Sequence, residues 1–546
     1  MKGITLNKLY ISAATAAAIL LSTSTASVAA YEQGEISETE HIPRKTKVKL
    51  THTQEEKDNN SSQKEDSTTG STQAGSTGAA DSSSGTSVPA GTSNPQATPN
   101  NETQATAKPP AKPAPPRITV HHQILPLPGA LDTTPFFSCN SPEIVLESGV
   151  LLSTFPKEGV KHPDAHLNQT LSGRFDVFVH HVTNASKTGT KRTLCLGMVM
   201  GNASHEKVHV KLLQAISYAT KPDAPFKELD TVLDNEKGTI YAGPGDRVML
   251  DMLKHRKQFD WHDEFTLNSG EMKMIYSLPM PVKSLNHPLN GRTCMIRFQT
   301  DGPVHLASLS GFSKKFLFWE NKPDIKIWKE TLETQPLVHP RDKTPTEPGA
   351  KGALVYGRVA GVAKGSSWHG TITNDASNSK LSLKPDEMFS YAMNTLIGGT
   401  FGTNQVQAAP ITVRYFDTAY QSHGNYGLLY DLEIPLVNET DEPLTAGISF
   451  QSPIKDWGKG DSLQFFPLPP DQIVFRGTVS FDWLDEAKKH HQQFTHLVEK
   501  RGQNVQPLIE FPLKPHSQQD VHFKYLYPAD CTPPHVLTVT TIRQKA

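Results

Sequence analysis

Side chains able to hold a metal ion crowd one stretch of the chain. KHPDAHLN contributes His162, Asp164 and His166, and FDVFVHHV follows with Asp176, His180 and His181. Imidazole and carboxylate groups suit zinc or copper when three or four of them converge on one ion. The i, i+2, i+4 spacing of His162, Asp164 and His166 places them on one face of an extended segment, although Pro163 favours a loop. His180 and His181 are neighbours, so a strand sends them to opposite faces, and one of them, His181, can complete such a site. A transition-metal centre, with a hydrolase or other metal-dependent enzyme built on it, is one expectation. Histidines packed along a core strand are the other, and no further cofactor is predicted.

Ligand-binding chemistry of a different kind is suggested by aromatic residues near glycines: Trp368 in SSWHG, Trp457 in KDWGKG, and Tyr420 and Tyr426 in AYQSHGNYG. Flat rings exposed on loops offer apolar faces on which sugar rings stack. Rings folded back onto a sheet are the structural alternative. Other fragments fail on chemistry. KTG at Lys187–Gly189 and SNSK at Ser377–Lys380 stand in the wrong order for a penicillin-recognising serine enzyme, and GRVAGVAKGSS puts Lys364 before Gly365, the reverse of a phosphate loop. There is no GxSxG, CxxC, HExxH or DxDxDG motif.

The elements that must position these residues are strands. From Ile118 onward, short runs of Val, Ile, Leu, Phe and Tyr alternate with Gly, Pro, Asn and Asp turns, which predicts an all-β fold. Two short helices are expected, one at PDIKIWKETLE with Pro323 in its first turn, the other after GPGDR with Asp246 as its cap. HPRDKTPTEPGAKG divides the region into two tandem β-sandwich, immunoglobulin-like domains, 117–338 and 351–546, joined by a linker at 339–350. The halves share a pattern. FDVFVHHVTNASKTGTKRTLCLGMVMGNAS lies without gaps over ITVRYFDTAYQSHGNYGLLYDLEIPLVNET, each ending in Asn-x-Ser/Thr, so a duplication is expected. In that alignment Phe416 and Asp417 stand where His180 and His181 stand.

Residues 1–30 read as a cleavable secretory signal, with Lys2 and Lys8 before an apolar run and Val28 and Ala30 at the cleavage site. Residues 31–116 are rich in Ser, Thr and Gly and then Pro, too polar to fold, and are expected to form a disordered spacer. No later run is apolar and long enough to be a transmembrane segment. A formal charge of −1 leaves no basic face to displace counterions from phosphates, which argues against nucleic acid as a partner. Four cysteines in 546 residues are too few for a disulfide scaffold. A Cys195–Cys294 bridge and buried free thiols are both open readings, and nothing local decides Cys139 and Cys531.

LPLPGALDTTPFFSCNSPEIV, HLNQTLSGRFDVFVHH, YGRVAGVAKGSSW, VRYFDTAYQSHGNYG, HLVEKRGQ and LYPADCTPPHVLTV resemble the signature blocks of a cyanobacterial secreted family catalogued as domain of unknown function 3370. The resemblance spans nearly all of the chain from Leu125 onward. It implies a bacterial, exported protein and brings no reaction with it. Cys139 stands where the family pattern has Asn, and the long spacer also departs from that pattern. In a bacterial protein the Asn-x-Ser/Thr triplets at Asn202 and Asn438 imply turn chemistry rather than glycosylation. The expected function is a non-catalytic cell-envelope or extracellular-matrix protein binding polysaccharide or another envelope component. A periplasmic assembly factor for secreted polymers differs from it only in partner.

Overall fold

Alternation of apolar and polar residues becomes strand. In VHVKLLQAISYA, Val208, Val210 and Leu212 are buried while His209, Lys211 and Leu213 face solvent, the two-residue period of a half-buried strand. A computed structural model describes residues 115–258, 261–316, 319–375, 379–455 and 460–543. The expected signal peptide, the spacer up to residue 114 and Trp457 lie outside these residues. The described residues belong to one compact unit, Ala107–Ala546. They are mostly strand, as expected, with helices at Ala185–Thr188, Pro244–Leu253 and Ile325–Thr334.

Both expected helices form, with caps shifted from their predicted places. Ile325–Thr334 is capped by Asp324, whose side chain accepts from Ile327 N, so Pro323 precedes the helix. Its Trp328 is fully buried against Gly197 and Gly311, where any side chain would collide with the indole. Pro244–Leu253 starts one turn earlier than predicted, with Gly243 as cap and Pro244 in the first helical position. Asp246 lies inside its first turn and accepts from Ala242 N at 2.8 Å.

Two groups of five strands have the same order. Glu264–Leu267, Val208–Ala219, Leu289–Phe312, Leu171–Asn184 and Pro135–Cys139 lie side by side, as do Ile509–Leu513, Leu444–Gln451, His535–Arg543, Met388–Met393 and Gln123–Leu125. In each group three antiparallel pairings are followed by a parallel one. Beside them, Leu194–Asn202 pairs with Met272–Met280, and Leu429–Asn438 with Ser517–Leu526. The counterpart of FDVFVHH is therefore not ITVRYFD. Met388–Met393 holds, beside His535–Arg543, the place that Leu171–Asn184 holds beside Leu289–Phe312. ITVR belongs to Ala409–Arg414, which pairs with Ala360–Lys364. Half-buried strands look alike in sequence: the gapless alignment sets Asn202 over Asn438 in strands that do correspond, but FDVFVHH over one that does not.

Sheets are shared across the Pro/Gly-rich stretch at 339–350. Gln123–Leu125 joins Met388–Met393, Ala130–Leu131 joins Ser367–Thr371, Val232–Asp234 joins His490–Lys500, and Ala360–Lys364 joins Pro135–Cys139. The stretch itself is pinned. Arg341 contacts Asp417 through both its Nε (2.9 Å) and Nη2 (3.2 Å), and Ser141 donates to Asp342. Apolar side chains from both sides, including Phe136, Phe178, Met295, Val248, Tyr430 and Phe450, pack in one core.

Candidate functional site

The histidine cluster does not converge. A 3-10 turn over Pro163–Ala165 turns Asp164 to solvent and His166 into the protein, where its Nδ1 lies 2.9 Å from Ser153 Oγ. His162 stays half-buried at the surface. His180 and His181 do face opposite ways. His180 Nδ1 is 2.8 Å from Thr293 Oγ1, whereas His181 Nδ1 donates to Pro142 O at 2.8 Å and its Nε2 lies 3.3 Å from Cys139 Sγ. Burial lowers His180 to about 3 and His181 to about 4, so both are neutral. Asp176 is held by Arg174 and lies 3.7 Å from Arg297. Among the described residues no group of three His, Cys, Asp or Glu side chains is placed to hold an ion.

The predicted aromatic platform is likewise dispersed. Trp368 lies in the strand Ser367–Thr371, buried, its indole N–H donating to Pro128 O at 2.9 Å. Tyr426 is half-buried, donates to Cys531 O at 2.8 Å and stacks on Tyr527. Tyr420 carries the Arg414 guanidinium 3.6 Å from its ring centre. Glycines beside these rings serve close strand packing, not exposure: a side chain at Gly370 would strike Pro128 O.

Cys139, Cys195, Cys294 and Cys531 are all free and buried, so Cys195 and Cys294 are not bridged. Burial pushes the Cys139, Cys195 and Cys294 thiols up to about 12. The thiolate is the reactive form, so at about pH 8 the folded protein is expected to take up no alkylating reagent, and the unfolded protein four equivalents, read by mass spectrometry. Rapid labelling of the folded state would contradict the packing described.

A serine, a histidine and a glutamate do meet, in an order unsuited to nucleophilic catalysis. Ser452 Oγ donates to Glu499 Oε2 at 2.5 Å, His535 Nδ1 lies 2.8 Å from Ser452 Oγ, and Tyr527 OH lies 2.9 Å from His535 Nε2. All four are buried. A catalytic triad places the histidine between serine and acid. Here the serine is in the middle and donates its hydroxyl hydrogen bond to the Glu499 carboxyl.

An open groove lies where a sheet overhangs the core. The antiparallel strands Ile473–Leu484 and His490–Lys500 set Trp483 opposite His491 and Phe481 opposite Gln493, while the short strand Val232–Asp234 sets Asp234 opposite Thr495. Residues directly opposite share a face, so Trp483, Gln493, Thr495 and Asp234 line one side. Toward the middle that side is core, with Phe481 and Leu497 fully buried. Toward the end it opens into a groove of about 470 Å³ with Val232, Trp483 and Leu508 as apolar walls and Asp234, Glu236 and Gln493 as polar groups; Gln492 and Phe494 border it on a strand that turns their side chains to the other face.

Each of these groups is held in place. The Trp483 ring stacks on His491 at 5.3 Å and meets Phe511 edge-on at 5.5 Å. Gln493 Nε2 donates to Thr495 Oγ1 and Leu508 O, and Gln492 Nε2 to Asp482 Oδ1. Glu236 Oε1 accepts from Phe494 N at 2.7 Å, and Asp234 Oδ1 from Glu236 N at 2.9 Å. These bonds leave the amide oxygen of Gln493 and a second oxygen on each carboxylate as acceptors for hydroxyl groups, whereas Gln492, opposite Asp482, points to the other face of the sheet. Trp483 sits in FDWLDEAKKHHQQF, a polar hairpin punctuated by rings. A search for aromatics near glycine passes over it, whereas period-two alternation around Trp483 and Gln493 is the signal that marks it.

Solved structures resemble the chain only slightly. Lac15 from a marine microbial metagenome aligns at 10% identity over 70% of this chain and 55% of its own, with a TM-score of 0.10. A mutant of Bacillus subtilis oxalate decarboxylase OxdC aligns at 6% identity over 69% of this chain and 78% of its own, with a TM-score of 0.09. Scores this low carry no argument about fold or activity. No curated protein matches the chain. The profile of the family described as "Protein of unknown function (DUF3370)" matches residues 122–541, and the chain belongs to that family.

Proposed function

We propose that the chain is an exported, non-catalytic protein of the cell envelope or extracellular matrix that binds polysaccharide in the groove beside Trp483. The groove carries this reading: an oriented indole, apolar flanks and three side chains with spare oxygen acceptors suit a ring with one C–H face and a rim of hydroxyls. Export rests on the signal-like residues 1–30, and the polar stretch after them suits a tether. The non-catalytic part is supported by the buried, internally bonded state of the His180, His181, Cys139 and Ser452 groups. The shared five-strand order supports a repeated unit. No helix among the described residues is long and apolar enough to cross a membrane.

The test is retention of the full chain on isolated cell walls and exopolysaccharide. Trp483→Ala is expected to weaken it about tenfold, or ~1.4 kcal/mol, the loss of one ring–ring contact. Equal retention of the variant and the parent would remove the groove from the account.

A further inference from the structure

We infer that the groove takes uncharged glycan chains and turns away acidic ones bearing uronate or sulfate groups, an inference that rests on reading the groove as a polysaccharide site. Two exposed acidic side chains, Asp234 and Glu236, stand on its walls, and among the described residues no lysine or arginine lines it. Lys254, His490 and His491, which lie near the groove, are already engaged. The Lys254 ammonium sits 3.3 Å from the centre of the Phe494 ring and donates to Glu236 O at 3.0 Å. His490 lies 3.4 Å from Asp482, and His491 lies 2.8 Å from Asp485.

Sites built for sugar acids or sulfate esters present guanidinium or ammonium groups to them. This groove presents acceptors instead. Hydroxyls donate well to carboxylate and amide oxygens, whereas an anionic substituent would bring like charge within the screening distance of about 8 Å at physiological salt. The geometry thus favours a chain whose ring substituents are hydroxyls, one ring resting on Trp483 and its hydroxyls turned to Asp234, Glu236 and Gln493.

The experiment compares the full chain on three bead-bound polymers, a neutral glucan, a polyuronate and a sulfated glycan, at low salt and at about 0.5 M salt. Retention on the neutral glucan alone is expected at both salt concentrations. Equal or stronger retention on an acidic polymer would overturn the selectivity while leaving the groove's glycan reading standing. Retention on none of the three would sink that reading itself. The double variant Asp234→Asn, Glu236→Gln removes both charges and keeps the acceptors that bond the backbone. It should gain about fivefold on the acidic polymers at low salt, a gain erased at high salt. No gain at low salt would contradict the inference, and the parent chain's preference decides the matter should that variant not fold.

Discussion

Asn438→Ala should lower the unfolding free energy by about 3 kcal/mol, the cost of orphaning several buried backbone groups at once. Asn438 is fully buried. Its amide nitrogen donates to three carbonyls, Glu442 O (2.8 Å), Leu513 O (3.2 Å) and Lys514 O (3.0 Å), and its oxygen accepts from Thr440 N and Oγ1. One side chain therefore closes a turn and ties it to the neighbouring strand end. Asn202 does the same in the first half, donating to Glu206 O, Leu267 O and Asn268 O and accepting from Ser204 N and Oγ. Asn202→Ala should cost a similar amount. Asn438→Asp keeps the shape and the acceptor but faces three carbonyl oxygens with a carboxylate, so it should not rescue stability. Urea unfolding followed by far-UV dichroism reads all three variants. A loss under about 1 kcal/mol for both alanine variants would mean that the turns hold without their amides.

Glu499→Gln should stabilise the protein in alkaline solution and leave it unchanged in acid. Burial raises the Glu499 carboxyl from its ordinary 4.5 to about 8, only partly offset by the Ser452 hydrogen bond and the Arg501 charge. Between those values the folded chain keeps a proton that the unfolded chain has released, so stability falls as pH rises through the window. Glutamine accepts the Ser452 hydroxyl equally well and has no proton to lose. The variant should match the parent near pH 4 and exceed it near pH 9 by a margin on the order of a few kcal/mol. The acidic limb has the opposite sign and a different origin. Burial lowers His180, His181 and His535, so the folded chain binds fewer protons there, and stability is lost as pH falls below about 6.5. Glu499→Gln leaves that limb in place. Identical pH–stability curves for variant and parent would show that Glu499 is ionised in the folded protein.

Strand content and both main helices were legible because each depends on local pattern: alternation in VHVKLLQAISYA, and Trp328 and Leu332 on one face of PDIKIWKETLE. Turn chemistry was legible too, since Asn-x-Ser/Thr at Asn202 and Asn438 closes its own loop. Pairing was not, because a strand's neighbours come from distant sequence. Gln123–Leu125 joins a sheet whose other strands follow residue 387, and nothing within three residues can announce that. Trp368 shows the same limit at a candidate site. SSWHG reads as a loop, yet Leu131 and Tyr430 pair with Trp368 from either side and carry its ring into the core. The groove, too, is made by three distant segments, around Asp234, Trp483 and Leu508, none of which contains a motif.

Affinity electrophoresis of the full chain through gels cast with a soluble neutral glucan tests the binding claim most directly. The parent should be retarded in proportion to glucan concentration, Trp483→Ala should migrate as it does in plain gel, and Trp368→Phe, a change in the core, should be retarded like the parent. Free migration of the parent at every glucan concentration, or retardation that survives Trp483→Ala, would contradict the account.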